Sequence, residues 1–249
     1  MQLPGFAKPR PSGTSNHPLL LGGSPGTTGT MSLYRAFVIL GISAVHYSRA
    51  FNASTGIEQT TYGEIPPGGP VPLLRPLFED VHPAPPVNLS SMQVRDLRFL
   101  AGTDALLDTP SMEIFFDVLH TFPKARAVLT LRDPIDWATS RRARHPSDRA
   151  PLFHSLGFEA QMGALSVEQA AAALALWHKV VAASVPAERL LVLDLFNTPS
   201  DQLWDQLCAF LHRPIPRDTA GKRLDFPHER YGDDVRRFAA DASGIQKQA

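Results

Sequence analysis

One cysteine in 249 residues, Cys208, excludes any internal disulfide. It lies in an apolar helical pattern and reads as a small core residue. Neither charge is in excess: Lys+Arg and Asp+Glu each total 24, so no broad basic face is available for nucleic acid or an anionic membrane. Any anion site must therefore be local. No stretch approaches the roughly 20 apolar residues of a membrane span. The opening residues MQLPGFAKPRPSGTSNHP also lack the apolar run of a secretory signal and are broken by Pro4, Pro9 and Pro11. The expectation is a cytoplasmic protein with a flexible leader over residues 1–17. No repeat or low-complexity tract is present, and Asn-x-Ser triplets at Asn52 and Asn88 carry no weight without a signal.

What is present reads as a folded α/β chain: 43% hydrophobic and 19% charged residues suit a single domain, placed at 18–249. HPLLLG (17–22) reads as a buried strand, and Leu33, Ala36, Phe37 and Leu40 follow at helical spacing, with Gly41 as a stop. ISAVHY (42–47) predicts a second strand. Eight prolines between 66 and 86 predict an irregular insertion over 51–97. Thr109-Pro110 predicts a helix start running to Thr121, AVLTL (127–131) a strand, and Asp133-Pro134 a helix through Arg144. A second inserted loop covers 145–165. Ser166 with Gln169 predicts a capping box for a helix to Ser184, LLVLDL (190–195) a strand, and Ser200 the cap of a last helix. Strands alternating with helices imply a three-layer α/β/α sandwich with a central parallel sheet, of the phosphate-loop nucleotide-binding type. Ligands of such folds sit at the C-terminal strand ends, which directs attention to 22–32, 46–52, 108–110 and 132–134.

The segment GSPGTTGT (23–30) joins the first strand to the first helix. Glycines there let backbone N–H groups approach an anion at a helix N-terminus, and Ser24, Thr27, Thr28 and Thr30 add hydroxyls. The lysine of G-x-x-x-x-G-K-[ST] is missing. Arg132 ends a buried strand, and Ser140 lies two turns into the next helix. Arg132 alone could serve as a partner for Asp133 or Asp136, and Ser140 alone could be a solvated helix residue. The basic run Arg141, Arg142, Arg144, His145 and Arg149 reads as a solvated helix face or an anion-attracting patch, and the three tryptophans read as core.

Taken together, TTGTMSL, the Arg132/Ser140 spacing of eight, and LWHKVV, VPAERLLVLDLF, LWDQLCAFLHRPIP and FPH resemble the sulfotransferases that use 3′-phosphoadenosine-5′-phosphosulfate. The likeness is to the branch with carbohydrate-type or uncharacterised acceptors, over 19–50 and 98–228. It implies that Gly26, Thr27, Thr28, Gly29, Thr30 and Met31 bind the 5′-phosphosulfate, and that Arg132 and Ser140 bind the 3′-phosphate. It further implies transfer of a sulfuryl group to a hydroxyl or amine of a small-molecule or carbohydrate acceptor, with the 3′,5′-bisphosphonucleotide as product. No metal, nucleic acid or membrane is implied. The general base is expected at the end of the strand before the Arg132 strand, which is Asp108; His46 is the alternative and Asp104 a third. Where that family usually has Lys or Arg this chain has Thr27; Arg35, Arg49, Lys222 and Arg223 are candidate substitutes. A non-catalytic nucleotide-binding protein of the same fold and a phosphate-loop small-molecule kinase, with Asp194 as its magnesium ligand, remain open at this point.

Overall fold

Leu19, Leu20 and Leu21 are all buried, because alternate side chains leave a strand on opposite faces and here both faces are covered. The computed structural model describes residues 19–46, 49–54, 56–60, 104–108, 112, 115–147 and 160–228. Its strands are β1 (Leu20–Gly22), β2 (Ala44–His46), β3 (Arg49–Asn52), β4 (Ile57–Thr60), β5 (Ala105–Leu106), β6 (Arg126–Leu131) and β7 (Leu190–Asp194). They form one sheet in the order β4-β3-β2-β5-β1-β6-β7. The run from β2 to β7 is parallel, whereas β3 and β4 are antiparallel.

Its helices are α1 (Thr30–Ile39), α2 (Phe115–Thr121), α3 (Pro134–Arg144), α4 (Val167–Ser184) and α5 (Ser200–Leu211). One face of the sheet, with Leu21, Leu106, Ala127 and Leu129, packs on Phe115 and Val118 of α2 and on Trp177 and Val181 of α4. The other, with Leu20, Ala105, Leu107 and Val128, packs on Leu33 and Phe37 of α1 and on Leu203, Trp204 and Leu207 of α5. This is the expected α/β sandwich. Cys208 lies in the second core, as its pattern indicates. Among the described residues no helix is long and apolar enough to cross a membrane.

Several expectations need correction. The insertion is not irregular at its start: residues 49–60 carry the β3–β4 hairpin, whose strands are too short and polar to show a clear period. Ser200 does not cap α5. Pro199 is the N-cap, and the Ser200 hydroxyl instead accepts the Phe226 N–H at 2.6 Å. The Ser166/Gln169 capping box forms as predicted. The leader, residues 61–97, the start of the Thr109 helix, Arg149 and most of the second inserted loop lie outside the described residues.

From β1 the chain crosses by α1, over one face, to β2 on the left of the order given above. From β5 it crosses by α2, over the other face, to β6 on the right. The winding reverses at β1, and the crevice at such a reversal is where open α/β sheets hold ligands. The loop after β1 opens there.

The hairpin is tied to α1 through one carboxylate. Glu58 of β4 accepts from the Tyr34 hydroxyl at 3.0 Å, from Arg35 Nη1 at 2.7 and 2.9 Å, and from Arg49 Nη1 at 3.3 Å. Burial pushes the Glu58 carboxyl up, but the hydrogen bonds and charges of Arg35, Tyr34 and Arg49 outweigh it and hold the group below the usual carboxylate value. Burial and the Glu58 charge push the Tyr34 hydroxyl the other way, well above the usual phenol. A carboxylate with a depressed folded-state value stabilises the fold above its unfolded value, and that stabilisation fades as pH falls through the folded one. The parent should therefore lose more stability than Glu58→Gln between about pH 6 and about pH 3, as urea denaturation at each pH would measure.

Candidate anion site at the end of β1

After Gly22 the chain must leave the sheet without orphaning its buried backbone groups. Gly23 N–H still reaches the Val128 carbonyl at 2.9 Å, the next rung of the β1–β6 ladder. Side chains then take over. Ser24 Oγ accepts the Thr130 N–H at 2.8 Å and donates to the Thr130 carbonyl at 2.9 Å, so a hydroxyl does the work of a strand residue. Thr28 Oγ1 donates to the Pro25 carbonyl at 2.7 Å and lies 3.0 Å from Thr130 Oγ1. The Trp177 indole donates to the Gly23 carbonyl at 2.6 Å, the Trp137 indole to the Gly26 carbonyl at 2.9 Å, and Arg132 Nη1 to the Thr27 carbonyl at 2.8 Å.

A trans peptide sets each N–H antiparallel to the preceding C=O. With the carbonyls of Gly23, Gly26 and Thr27 bound from the protein side, the N–H groups of Ser24, Thr27 and Thr28 point the opposite way. Gly29, the N-cap of α1, has no side chain to satisfy the first-turn N–H groups. Amides in succession at an uncapped helix start make an anion nest. The backbone is bent to do this: Thr27 has φ 68° and Gly29 φ 94°. A β-branched residue in the left-handed region is strained by roughly 1–3 kcal/mol, which the Arg132 hydrogen bond helps to offset.

Each predicted binding residue can now be placed. Gly29 needs glycine's freedom at φ 94°, and a Cβ there would stand 2.6 Å from Leu195; a Cβ at Gly26 would meet the ends of the Arg141 and Asp108 side chains, the latter at 2.7 Å from Oδ1, and they would have to shift. Thr28 is fully buried with its hydroxyl turned to Thr130, and Met31 packs against the α1/α5 core, so each can meet a ligand through its N–H alone. Thr27 is half-buried and its hydroxyl lies 2.6 Å from the Gly26 carbonyl. Thr30 Oγ1 lies 3.1 Å from His46 Nε2. Arg132 has no ion-pair partner among the described residues; its guanidinium lies 5.1 Å from the Phe196 ring. Burial lowers its proton affinity, Arg144 adds to this, and Asp136 and Asp133 pull the other way. A guanidinium stays charged regardless, so Arg132 is an undersolvated cation beside the nest. Ser140 is half-buried on α3.

Asp108 and His46, proposed from sequence as alternatives, are neighbours. His46 Nε2 lies 3.1 Å from Asp108 Oδ2, and both are buried. Asp108 has φ 65°, a left-handed non-glycine at the end of β5. Asp104 begins β5 at the opposite edge of the sheet, where it accepts the Ser43 N–H at 3.2 Å, so it is removed from the site. Asp194 accepts from the Phe196 and Asn197 amides and the Asn197 side chain. Arg35 and Arg49 engage Glu58, and Arg223 pairs with Asp205 and donates to the Asp201 carbonyl at 2.8 Å. Among the described residues no group of three or more His, Cys, Asp or Glu side chains gathers as a metal site would.

Sequence reasoning missed Thr130 and the part that Trp137 and Trp177 play in holding the loop, and it named Arg141 only within a basic run. The tryptophans are core, as expected, but their N–H ends hold the loop. A buried indole needs a hydrogen-bond partner, and that requirement was the available signal. Trp137→Phe would remove the buried indole donor from the Gly26 carbonyl and leave it the Thr27 hydroxyl alone, at a cost of about 0.5–1.5 kcal/mol. It should also free the Gly26–Thr27 peptide to turn, so titration calorimetry should show weaker binding of inorganic sulfate by about tenfold, the loss that roughly 1.4 kcal/mol represents.

No curated protein matches the chain closely. The family model of the sulfotransferase domain matches residues 20–153 and 152–235, which takes in the loop after β1, His46, Asp108, Arg132 and all of the described helices. The chain belongs to the sulfotransferase domain family.

Proposed function

We propose that the chain is a transferase that moves a sulfuryl group from 3′-phosphoadenosine-5′-phosphosulfate to a hydroxyl or amine of a small-molecule or carbohydrate acceptor. The observation that carries this reading is the loop after β1, whose carbonyls at Gly23, Gly26 and Thr27 are bound from the protein side, which leaves the N–H groups that follow them turned the other way, as an anion would need. The donor, when bound, supplies an activated sulfuryl group and a bisphosphonucleotide leaving group. The N–H groups of residues 26–31 would hold its 5′ end, and Arg132 and Ser140 its 3′-phosphate.

At the acceptor side, the Asp108 carboxylate takes the hydroxyl proton while His46, 3.1 Å away, fixes its direction. The left-handed backbone at Asp108 supports a role beyond packing, since strain of this kind gathers at working sites. A second reading, a binder of the desulfated nucleotide without turnover, is favoured by the absence of lysine and arginine from GSPGTTGTMS. Donor hydrolysis separates the two.

The deciding experiment is a thermal-shift series with adenosine 3′,5′-bisphosphate and with ATP-Mg. A ligand at 100 times its Kd adds about 2.7 kcal/mol to stability. The bisphosphonucleotide should raise the melting temperature more than ATP-Mg, and Arg132→Ala should bind it about tenfold or more weakly with the fold intact, since a charge-assisted contact is worth roughly 1.5–3 kcal/mol. Equal or greater stabilisation by ATP-Mg would point to a kinase instead.

Asp108→Asn should keep nucleotide affinity and lose sulfuryl transfer by roughly 10²–10⁴-fold, the usual contribution of a base. Turnover within a few-fold of the parent would move that role to His46, which His46→Gln would then test.

A further inference from the structure

The hydroxyls of the loop after β1 are turned into the protein. Ser24 is bound to Thr130, and the Thr27 and Thr28 hydroxyls donate to the Gly26 and Pro25 carbonyls. Thr30, the first residue of α1, is 2% exposed, and its Oγ1 lies 3.1 Å from His46 Nε2. The same nitrogen lies 3.1 Å from Asp108 Oδ2. A ring nitrogen beside a carboxylate carries its hydrogen, whether the imidazole is neutral or charged, because an ionised carboxylate can only accept. One N–H therefore faces two oxygens, one from the loop and one from the group read as the base. A hydrogen shared in this way fixes the turn of the ring, since rotation towards either oxygen worsens the contact with the other. The face of the ring meets the same helix: Tyr34, one turn on from Thr30, has its ring centroid 5.8 Å from that of His46. His46 is thus seated on α1 as well as on β2, and α1 is the helix that opens at the nest.

We propose that the Thr30 hydroxyl belongs to the acceptor side of the site. It is a positioning residue that holds His46, and through it Asp108, while only the backbone N–H of Thr30, in the uncapped first turn of α1, serves the 5′ end of the donor. The proposal rests on the reading of the loop as the donor site and of Asp108 as the base. It divides the loop by atom: the amides face the ligand, and the side chains face the protein that holds the amides in place. One residue then fixes the base relative to the donor, because its N–H and its hydroxyl act on the two reacting partners from a single rigid point.

The test removes the hydroxyl and keeps the N–H. Thr30→Val has nearly the shape of the parent residue and should bind adenosine 3′,5′-bisphosphate and 3′-phosphoadenosine-5′-phosphosulfate within about threefold of the parent, by titration calorimetry, because no ligand contact is lost. Release of sulfate from the donor, to water or to an acceptor found by screening, should fall by about tenfold in kcat, since small misplacements of a reacting group act on that scale. Thr30→Ser returns the hydroxyl and should return the rate. A hydroxyl that only stabilises the fold would lower the melting temperature and leave kcat of the folded protein unchanged, which overturns the proposal. Donor affinity lost by about tenfold or more in Thr30→Val and regained in Thr30→Ser shows a hydroxyl that binds the anion, and overturns it too. If Thr30→Val does not fold, or if the parent binds both nucleotides without releasing sulfate, a crystal structure of the parent with adenosine 3′,5′-bisphosphate decides. Thr30 Oγ1 should remain within hydrogen-bond distance of His46 Nε2, and a turn to the 5′-phosphate sinks the proposal. A parent that binds neither nucleotide means that the donor reading itself has failed, and the role of Thr30 falls with it.

Discussion

The pair of hydrogen bonds between Ser24 and Thr130 is the constraint on which the ligand edge depends. The β1–β6 ladder would otherwise stop at Gly23, and the chain would leave the sheet with a free end. By giving and accepting through one hydroxyl, Ser24 extends the ladder by a residue whose own backbone is turned elsewhere. Everything after it is positioned relative to β6. Thr28 meets the same Thr130, Arg132 at the end of that strand meets the Thr27 carbonyl, and Trp137 five residues on meets Gly26. The nest is thus referenced to one strand and the helix that follows it, which places Arg132, Ser140 and Arg141 on the element that also shapes the loop.

A second theme is how charge is kept near this edge. His46, Asp108 and Arg141 are each less than a tenth exposed, and Asp108 carries an unfavourable backbone conformation as well. Burying ionisable groups next to strained backbone works against stability, so the surrounding fold must supply the difference. It does so from two apolar cores on either face of the sheet, both of which reach the ends of β1. The Glu58 cluster has a different character. It matches one carboxylate with two guanidinium groups and a phenol, and it holds the β3–β4 hairpin to α1 beside the His46 strand.

Much of this fold was legible because buried parallel strands and capped helices leave strong local marks. LLLG, AVLTL and LLVLD are short apolar runs, and the Asp133-Pro134 and Ser166/Gln169 signals form the caps they announce. The hairpin escaped because Arg49–Asn52 and Ile57–Thr60 alternate weakly and are specified by cross-strand partners rather than by their own pattern. Ser200 misled because a serine before an amphipathic run has the same signature whether its hydroxyl meets its own helix or, as here, the Phe226 amide 26 residues on. At the candidate site, the Gly/Thr loop and Arg132 lie where the sequence pattern put them, just after β1 and β6. The burial of Arg141 could not be read that way, since which of several neighbouring arginines turns inward is settled by tertiary packing. Asp108 and His46 were both visible as strand-end residues, but their mutual contact needed the order of β2, β5 and β1 in the sheet.

The way the loop is held has an optical consequence. Of the three tryptophans in the chain, two have their indole N–H bonded to carbonyls of this one loop, and the third, Trp204, packs at a tilt against Phe226 in the core on the α5 side. Indole emission responds to the polarity and hydrogen bonding around the ring. The intrinsic fluorescence of this protein is therefore weighted towards the loop after β1, and a change in how its carbonyls are held can be followed by the protein's own light, with no label attached.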